Sequence, residues 1–270
     1  MTANRGSKRA ALLLVVACAV SVSAQRGRGA APTGGTPKAV APIDLTGKWV
    51  SVVSEDWLQR MLMPPRGDYA GVPLTLEGRR VANMWEPASL ATDGCKPFGA
   101  PALMRIPGRL RISWDNDTTL KIETDAGLQT RLLHFDQAGV VQAFRPVSPV
   151  TERTFQGYSQ AEWEQLVQRG GQGGGLVPPA PRAGAALRVV TTKLKAGYLR
   201  KNGVPYSEDA VLTEYFDRLS EDGTEWLLVE TIVNDPKYLA QDFITSTHFR
   251  KEPDNSKWMP SPCEAVRGKK

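Results

Sequence analysis

The sequence predicts an all-β fold with minor α content: an antiparallel meander of eight to ten strands, closed as a barrel. Three observations carry this. Short runs that alternate apolar and polar residues recur from Ile43 onward. Turn chemistry separates them at Asp115-Asn116-Asp117, Asp125-Ala126-Gly127, Lys201-Asn202-Gly203, Glu221-Asp222-Gly223 and Asn234-Asp235-Pro236. A long meander of sequential neighbours leaves two unpaired edges unless it closes on itself.

The elements follow in order. Leu45 to Val53 is a first strand. Thr75 to Trp85 places Leu76, Val81 and Trp85 near helical spacing and predicts a short helix. Arg109 to Trp114, Leu120 to Glu123 and Leu128 to Phe135 are successive hairpin strands. Gln160 to Val167 predicts a second short helix, with Ser159 as N-cap and Glu162 completing a capping box. Leu187 to Leu199, Val211 to Leu219, Trp226 to Val233 and Phe243 to Arg250 are the last four strands.

Domain organisation follows from composition. Residues 1–24 read as a secretory leader: Arg5, Lys8 and Arg9, then an apolar run from Ala10 to Val20, then Val22-Ser23-Ala24 as a small-residue cleavage site. Residues 25–42 read as a Gly/Pro-rich disordered tether. Residues 43–263 form a single barrel-like domain, interrupted by a Gly/Pro-rich loop at 170–184 and followed by a basic tail at 264–270. The expected location is periplasmic or secreted. A lipid anchor at Cys18 is the lesser reading, because more apolar chain and no polar tether follows that residue. No later stretch is apolar enough to span a membrane.

The charge excludes one class of partner. The chain carries 34 Lys and Arg against 28 Asp and Glu, a net +6. Six of the basic residues, and no acidic one, lie in residues 1–38, so the remainder holds 28 of each sign. A nucleic-acid binder needs its excess charge on the folded surface. Here it belongs to the leader and tether.

Two cysteines remain in the domain, Cys95 and Cys263. In an oxidising compartment they most simply form one disulfide that pins the C-terminal tail. The alternative is a metal site of Cys95, Cys263, His134 and His248, but no pair has the close ligand spacing of a structural zinc site. No metal and no cofactor is expected. Gly157-Tyr158-Ser159-Gln160-Ala161 approaches a nucleophile elbow, but the polar residues before it are no buried strand. Gly170 to Gly175 lacks the Lys and Ser/Thr of a phosphate loop. Asp115-Asn116-Asp117 lacks the Gly and Glu of a calcium loop and is read as a hairpin turn.

Gly47-Lys48-Trp49, opening the first strand, resembles the Gly-x-Trp signature of lipocalins and related calycins. That resemblance implies a ligand-binding barrel in which Trp49 stacks against an Arg of the last strand, here Arg250. A second resemblance spans about residues 44–263. Cys95-Lys-Pro-Phe-Gly99, Gly157-Tyr-Ser-Gln-Ala-Glu-Trp163, Ser207-Glu208, Thr213-Glu214 and Asp235-Pro236 are similar to a group of uncharacterised secreted proteins of soil bacteria. It implies export and the fold, and no chemistry.

Polar strand residues supply the candidate site. Arg105, Arg109, Arg111, Gln129, Arg131, Tyr198, Arg200, Tyr206, Glu214 and Glu230 are the richest cluster. Alternation sets Gln129 and Arg131 on one strand face and Leu128, Thr130, Leu132 and His134 on the other. Charge favours the Arg131 face as the solvated one; turned inward, it would make the cavity polar. The segment Glu55 to Met63 is read as a lid over the barrel mouth or as packing under its end.

The functional reading is an exported lipocalin-like protein that binds a small, largely apolar ligand. Arg131, His134, Tyr198, Arg200, Glu214 and His248 are the candidate ligand-binding residues. One alternative is an isomerase- or cyclase-like enzyme on the same barrel, using a cavity histidine and a carboxylate. Another is an interaction module of the cell envelope.

Overall fold

The computed structural model describes residues 35–135, 149–165 and 185–263. The expected leader, Cys18, the 170–184 loop and the 264–270 tail lie outside these residues. The chain forms a closed barrel of nine strands. They are β1 (Gly47–Val52), β2 (Arg109–Asn116), β3 (Thr119–Thr124), β4 (Thr130–Phe135), β5 (Tyr158–Gln165), β6 (Ala185–Thr192), β7 (Val211–Glu221), β8 (Thr224–Asn234) and β9 (Phe243–Glu252). Each strand neighbours the next in sequence, and β9 closes on β1.

One pair departs from the antiparallel meander. β4 and β5 run parallel, with Leu133 opposite Ser159. Parity requires such a step. In a closed ring every antiparallel neighbour reverses direction, and nine reversals cannot return to the starting direction. The parallel pair falls where residues 136–157 replace a hairpin turn, as a parallel step needs a long crossover.

The expected helix at 160–167 is corrected. Tyr158–Gln165 is strand β5, held between β4 and β6. Ser159 caps nothing; its side chain points into the barrel and shares a 2.8 Å hydrogen bond with Thr191. Glu162, on the outer side, pairs across to Arg188 at 2.7 Å. Two backbone ladders outweigh the local helical signal. The expected helix at 75–85 is present as α2 (Leu76–Asn83), capped by the Thr75 hydroxyl, which accepts from the Gly78 amide at 3.0 Å. A shorter helix, α1 (Trp57–Met61), precedes it.

The register also moves the expected Trp49 contact by one residue. Trp49 is fully buried and pairs with Lys251, whose ammonium lies 5.5 Å from the ring centroid. Arg250 pairs with Val50 and is exposed. Inward positions of β9 are odd-numbered, so Arg250 points away from the core. Contacts to the barrel also begin before Ile43. Lys38 donates its amide to the Asp117 carbonyl, and the Trp163 indole donates to the Pro37 carbonyl at 2.9 Å.

Two apolar cores are stacked along the barrel. The first fills the lumen, with Trp49, Ile112, Leu120, Leu133, Leu187, Phe216 and Phe249 among its members. The second lies at one end, where residues 53–108, 193–210 and 235–242 cap the barrel; it includes Tyr69, Ala82, Leu199, Tyr206, Leu212 and Phe243. Between them the inward positions are polar: Arg131, Ser159, Thr191, Glu214, Thr231, Thr245 and Thr247, all buried. Arg131 and Glu214 meet there as a two-pronged pair, at 3.0 and 2.6 Å, with both side chains wholly buried. Arg131 also donates to Thr191 at 3.2 Å and Ser159 at 3.4 Å. The expectation of a solvated Arg131 is therefore overturned. Its carboxylate partner sits across the lumen, and the opposite face, with Leu132 and Thr130, is the exposed one.

The C-terminal segment returns along the outside. Arg111 lies 3.8 Å over the Trp258 ring and donates to Asn255. Ser261 and Pro262 pair with Ala126 and Gly127, and Cys263 is bonded to Cys95. The expected disulfide is present and ties this segment to the cap.

Two stability tests follow. Glu214→Gln leaves a buried guanidinium without its carboxylate and is expected to cost about 3–5 kcal/mol in urea unfolding, whereas Arg131→Met combined with Glu214→Leu recovers most of it. If the pair of substitutions is as damaging as the single one, the polar layer is more than a charge pair. Cys263→Ser is expected to cost about 2–4 kcal/mol and to open residues 253–263 to protease. An unchanged cleavage pattern would show that Arg111 and Ala126 hold the segment alone.

Candidate functional site at the capped end

The six candidate residues do not form one site. Arg131 and Glu214 close the lumen as a structural pair. His134 is on the outer barrel face, stacked on Tyr158 at 5.0 Å, and lines an open pocket of about 460 Å³ with Thr130, Leu132, Glu152 and Gln156 among others. His248 lies 3.0 Å from the Ser54 hydroxyl and 3.7 Å from Glu55, at the surface. Tyr198 lies under the Lys96 ammonium, at 5.5 Å. Arg200 alone lines a cavity at the capped end.

That cavity is small, about 30 Å³, and its walls are cationic. Arg60, Arg105, Arg200 and Lys201 line it, with Gln59, Pro97, Ala102, Ile106 and Leu199 and no acidic side chain. Three separate segments deliver these groups. α1 brings Gln59 and Arg60, the end of the Ala100–Leu103 helix brings Arg105, and the turn after Leu199 brings Arg200 and Lys201. The turn is held by Asn202, whose side chain donates to the Pro65 and Asp68 carbonyls at 3.1 and 2.8 Å. Gly203 closes it at φ 82°, against the Trp85 ring, where a Cβ would collide.

The arginines are unequally satisfied. Arg60 donates to the Arg105 carbonyl at 2.9 Å and to Glu55 at 2.6 Å. Arg105 donates to Asp56 at 2.7 Å. Asp56 stands at the start of α1 with φ 47°, and its carboxylate serves Arg105 instead of capping the helix. Arg200 is 5% exposed, yet none of its three guanidinium nitrogens has a hydrogen-bond partner; its nearest carboxylate oxygen, on Asp56, is 3.9 Å away. One nitrogen of Arg60 and one of Arg105 are likewise buried and unpaired. Burial pushes the pKa of Arg200 down, and Arg105 pushes it the same way. Burial lowers Arg60 and Lys201 too. Unpaired buried donors on charged groups are costly, and an oxyanion would satisfy them in a planar, two-pronged geometry.

Sequence reasoning named Arg105 and Arg200 but missed Arg60 and Lys201. For Arg60 a signal was present: it is the one charged residue in Trp57-Leu-Gln-Arg-Met-Leu-Met63. Among the described residues, no three His, Cys, Asp or Glu gather as a metal-ligating group. No family model, no curated protein and no solved structure matches the chain.

His134 yields a pH test. Burial pushes its pKa below the ordinary 6.5, against a smaller pull from Asp115. The unfolded chain then takes up the proton more readily, so the fold loses stability as pH falls from 6.5 through the lowered native value. His134→Gln is expected to flatten this step in melting temperatures taken between about pH 8 and about pH 5. An unchanged slope would place the pH dependence on other groups.

Proposed function

We propose that the chain is an exported, lipocalin-like barrel protein that binds a small ligand through a carboxylate or another oxyanion, seated at the capped end. One observation carries the reading: Arg200 is buried with no hydrogen-bond partner, in a cavity whose charged lining is wholly cationic. The lumen offers less. Its apolar half is filled by Trp49, Phe216 and Phe249, and its polar layer is occupied by Arg131 and Glu214. The disulfide supports an oxidising compartment. No helix among the described residues is long and apolar enough to cross a membrane.

Calorimetric titration with inorganic phosphate and with butyrate tests the proposal. Arg200→Gln is expected to weaken binding by about tenfold or more, the worth of one charge-assisted contact. Lys121→Gln, on the barrel's outer wall, is expected to leave it unchanged. Equal affinity in the parent and in Arg200→Gln, or no binding of either anion to the parent, would overturn the assignment.

A further inference from the structure

A second pocket lies outside the barrel, where the meander is broken. β4 and β5 run parallel and share three residue pairs, Leu133 to Phe135 with Ser159 to Ala161. Before that contact, the chain from Val150 to Tyr158 faces the outer side of β4 across an open pocket of about 460 Å³. That volume is in the range of small-molecule sites. Its walls are the even-numbered residues of both segments, Thr130 to His134 on one and Val150 to Tyr158 on the other, as extended chains present them. The approaching chain is fastened. The Lys195 amide donates to the Thr154 carbonyl at 2.7 Å, and the Gly157 amide to the Thr154 hydroxyl at 2.9 Å. Gln156 Nε2 donates to the Phe98 carbonyl and to Gln129 Oε1, both at 2.8 Å. Tied walls hold the lining in place.

The polar character of that lining is one-sided. Glu152 is its one carboxylate; it is exposed, with no ion pair among the described residues, and no Lys or Arg lines the pocket. Arg153, next in the chain, is turned aside to the Leu194 carbonyl at 3.3 Å and to Asp209 at 3.1 Å. Lys121, opposite Leu132 on β3, pairs with Glu123 at 3.8 Å. Asp115 is a second negative charge, near enough to pull the His134 pKa upward, but burial has the larger effect and keeps that ring neutral at neutral pH. Both Nε2 hydrogens of Gln156 are used, and its Oε1 is buried without a partner, an acceptor in need of a donor. Leu132, Val150 and the stacked His134–Tyr158 pair add apolar and flat walls. We propose that this pocket binds a small organic cation, an amine or guanidine on an aromatic or aliphatic body, with Glu152 as counter-charge and Gln156 Oε1 as acceptor. It shares no residue with the cationic cavity of the cap and does not rest on the oxyanion reading.

Three probes of similar shape test it in the intact protein: phenethylamine, 2-phenylethanol and 3-phenylpropionate. The chain has two histidines, so imidazole nitrogen signals report on His134 and His248 separately. At about pH 8, where an ordinary histidine is neutral, phenethylamine is expected to move the His134 signal and leave that of His248. Its affinity should exceed that of the alcohol by about tenfold. 3-Phenylpropionate should leave His134 in place, whether or not it binds at the cap. Glu152→Gln is expected to weaken amine binding about threefold to fivefold, the worth of an exposed charge pair, at an unchanged melting temperature. Leu132→Lys, at a residue 40% exposed, sets a cation in the pocket and should abolish amine binding. Four results would overturn the proposal: no probe moves His134, the alcohol or the carboxylate moves it at the affinity of the amine, both histidines move together, or either substitution leaves amine affinity at the parent value.

Discussion

The Arg131–Glu214 pair is the constraint around which the molecule is arranged. It joins β4 to β7 across the lumen, with both side chains out of reach of water. A buried ion pair adds little net stability compared with an apolar substitute, but a broken one is severe. The pair is therefore better understood as fixing register. A slip of one residue in β4 would send Arg131 to the outer face and strand Glu214 without a counter-charge. The threonines at 191, 231, 245 and 247 and Ser159 complete a polar layer that separates two apolar cores.

That layer sets the filled lumen apart from the cap. Below it the barrel is filled by aromatic and aliphatic side chains, so the space inside is not a greasy cup. Above it, the cap is assembled from excursions between strands, and these bring together cations that lie far apart in sequence. Arg60, Arg105 and Arg200 converge although 45 and 95 residues separate the successive members. The cap loops are fastened to one another through Asp235, which accepts from the Ser207 amide at 2.6 Å and its hydroxyl at 2.8 Å, and through the disulfide. A site built on such ties is held in place even though much of it is loop.

Much of the barrel was legible because its signals are local. Asp222-Gly223 makes its hairpin from its own chemistry, the turn read at Asp115-Asn116-Asp117 lies slightly later, at Asp117 and Thr118, and the disulfide follows from two cysteines in an oxidising setting. The failures have a common cause: each depended on which partner a face met. The run Ser159 to Gln165 has too few apolar residues to declare its period, and only its two neighbouring ladders make it a strand. Arg131 looked solvated because its partner, Glu214, is 83 residues away. The Gly-x-Trp resemblance implies an Arg against Trp49 and so points to Arg250, but a motif fixes residue type, whereas register fixes which residue pairs, and register brings Lys251. The cationic cavity was half legible, since Arg60 is conspicuous in an apolar run, but convergence with Arg200 is a property of the cap alone.

The central claim is that oxyanion recognition occurs at the cap and that the lumen is structural. Nitrogen-15 NMR of the arginine side chains during a phosphate titration addresses it most directly. Buried guanidinium Nε–H groups exchange slowly enough to be followed one by one. The Arg200 signal, with those of Arg60 and Arg105, should move progressively while that of Arg131 stays fixed. Movement of Arg131 with Arg200 unchanged would place the site in the lumen and contradict the account.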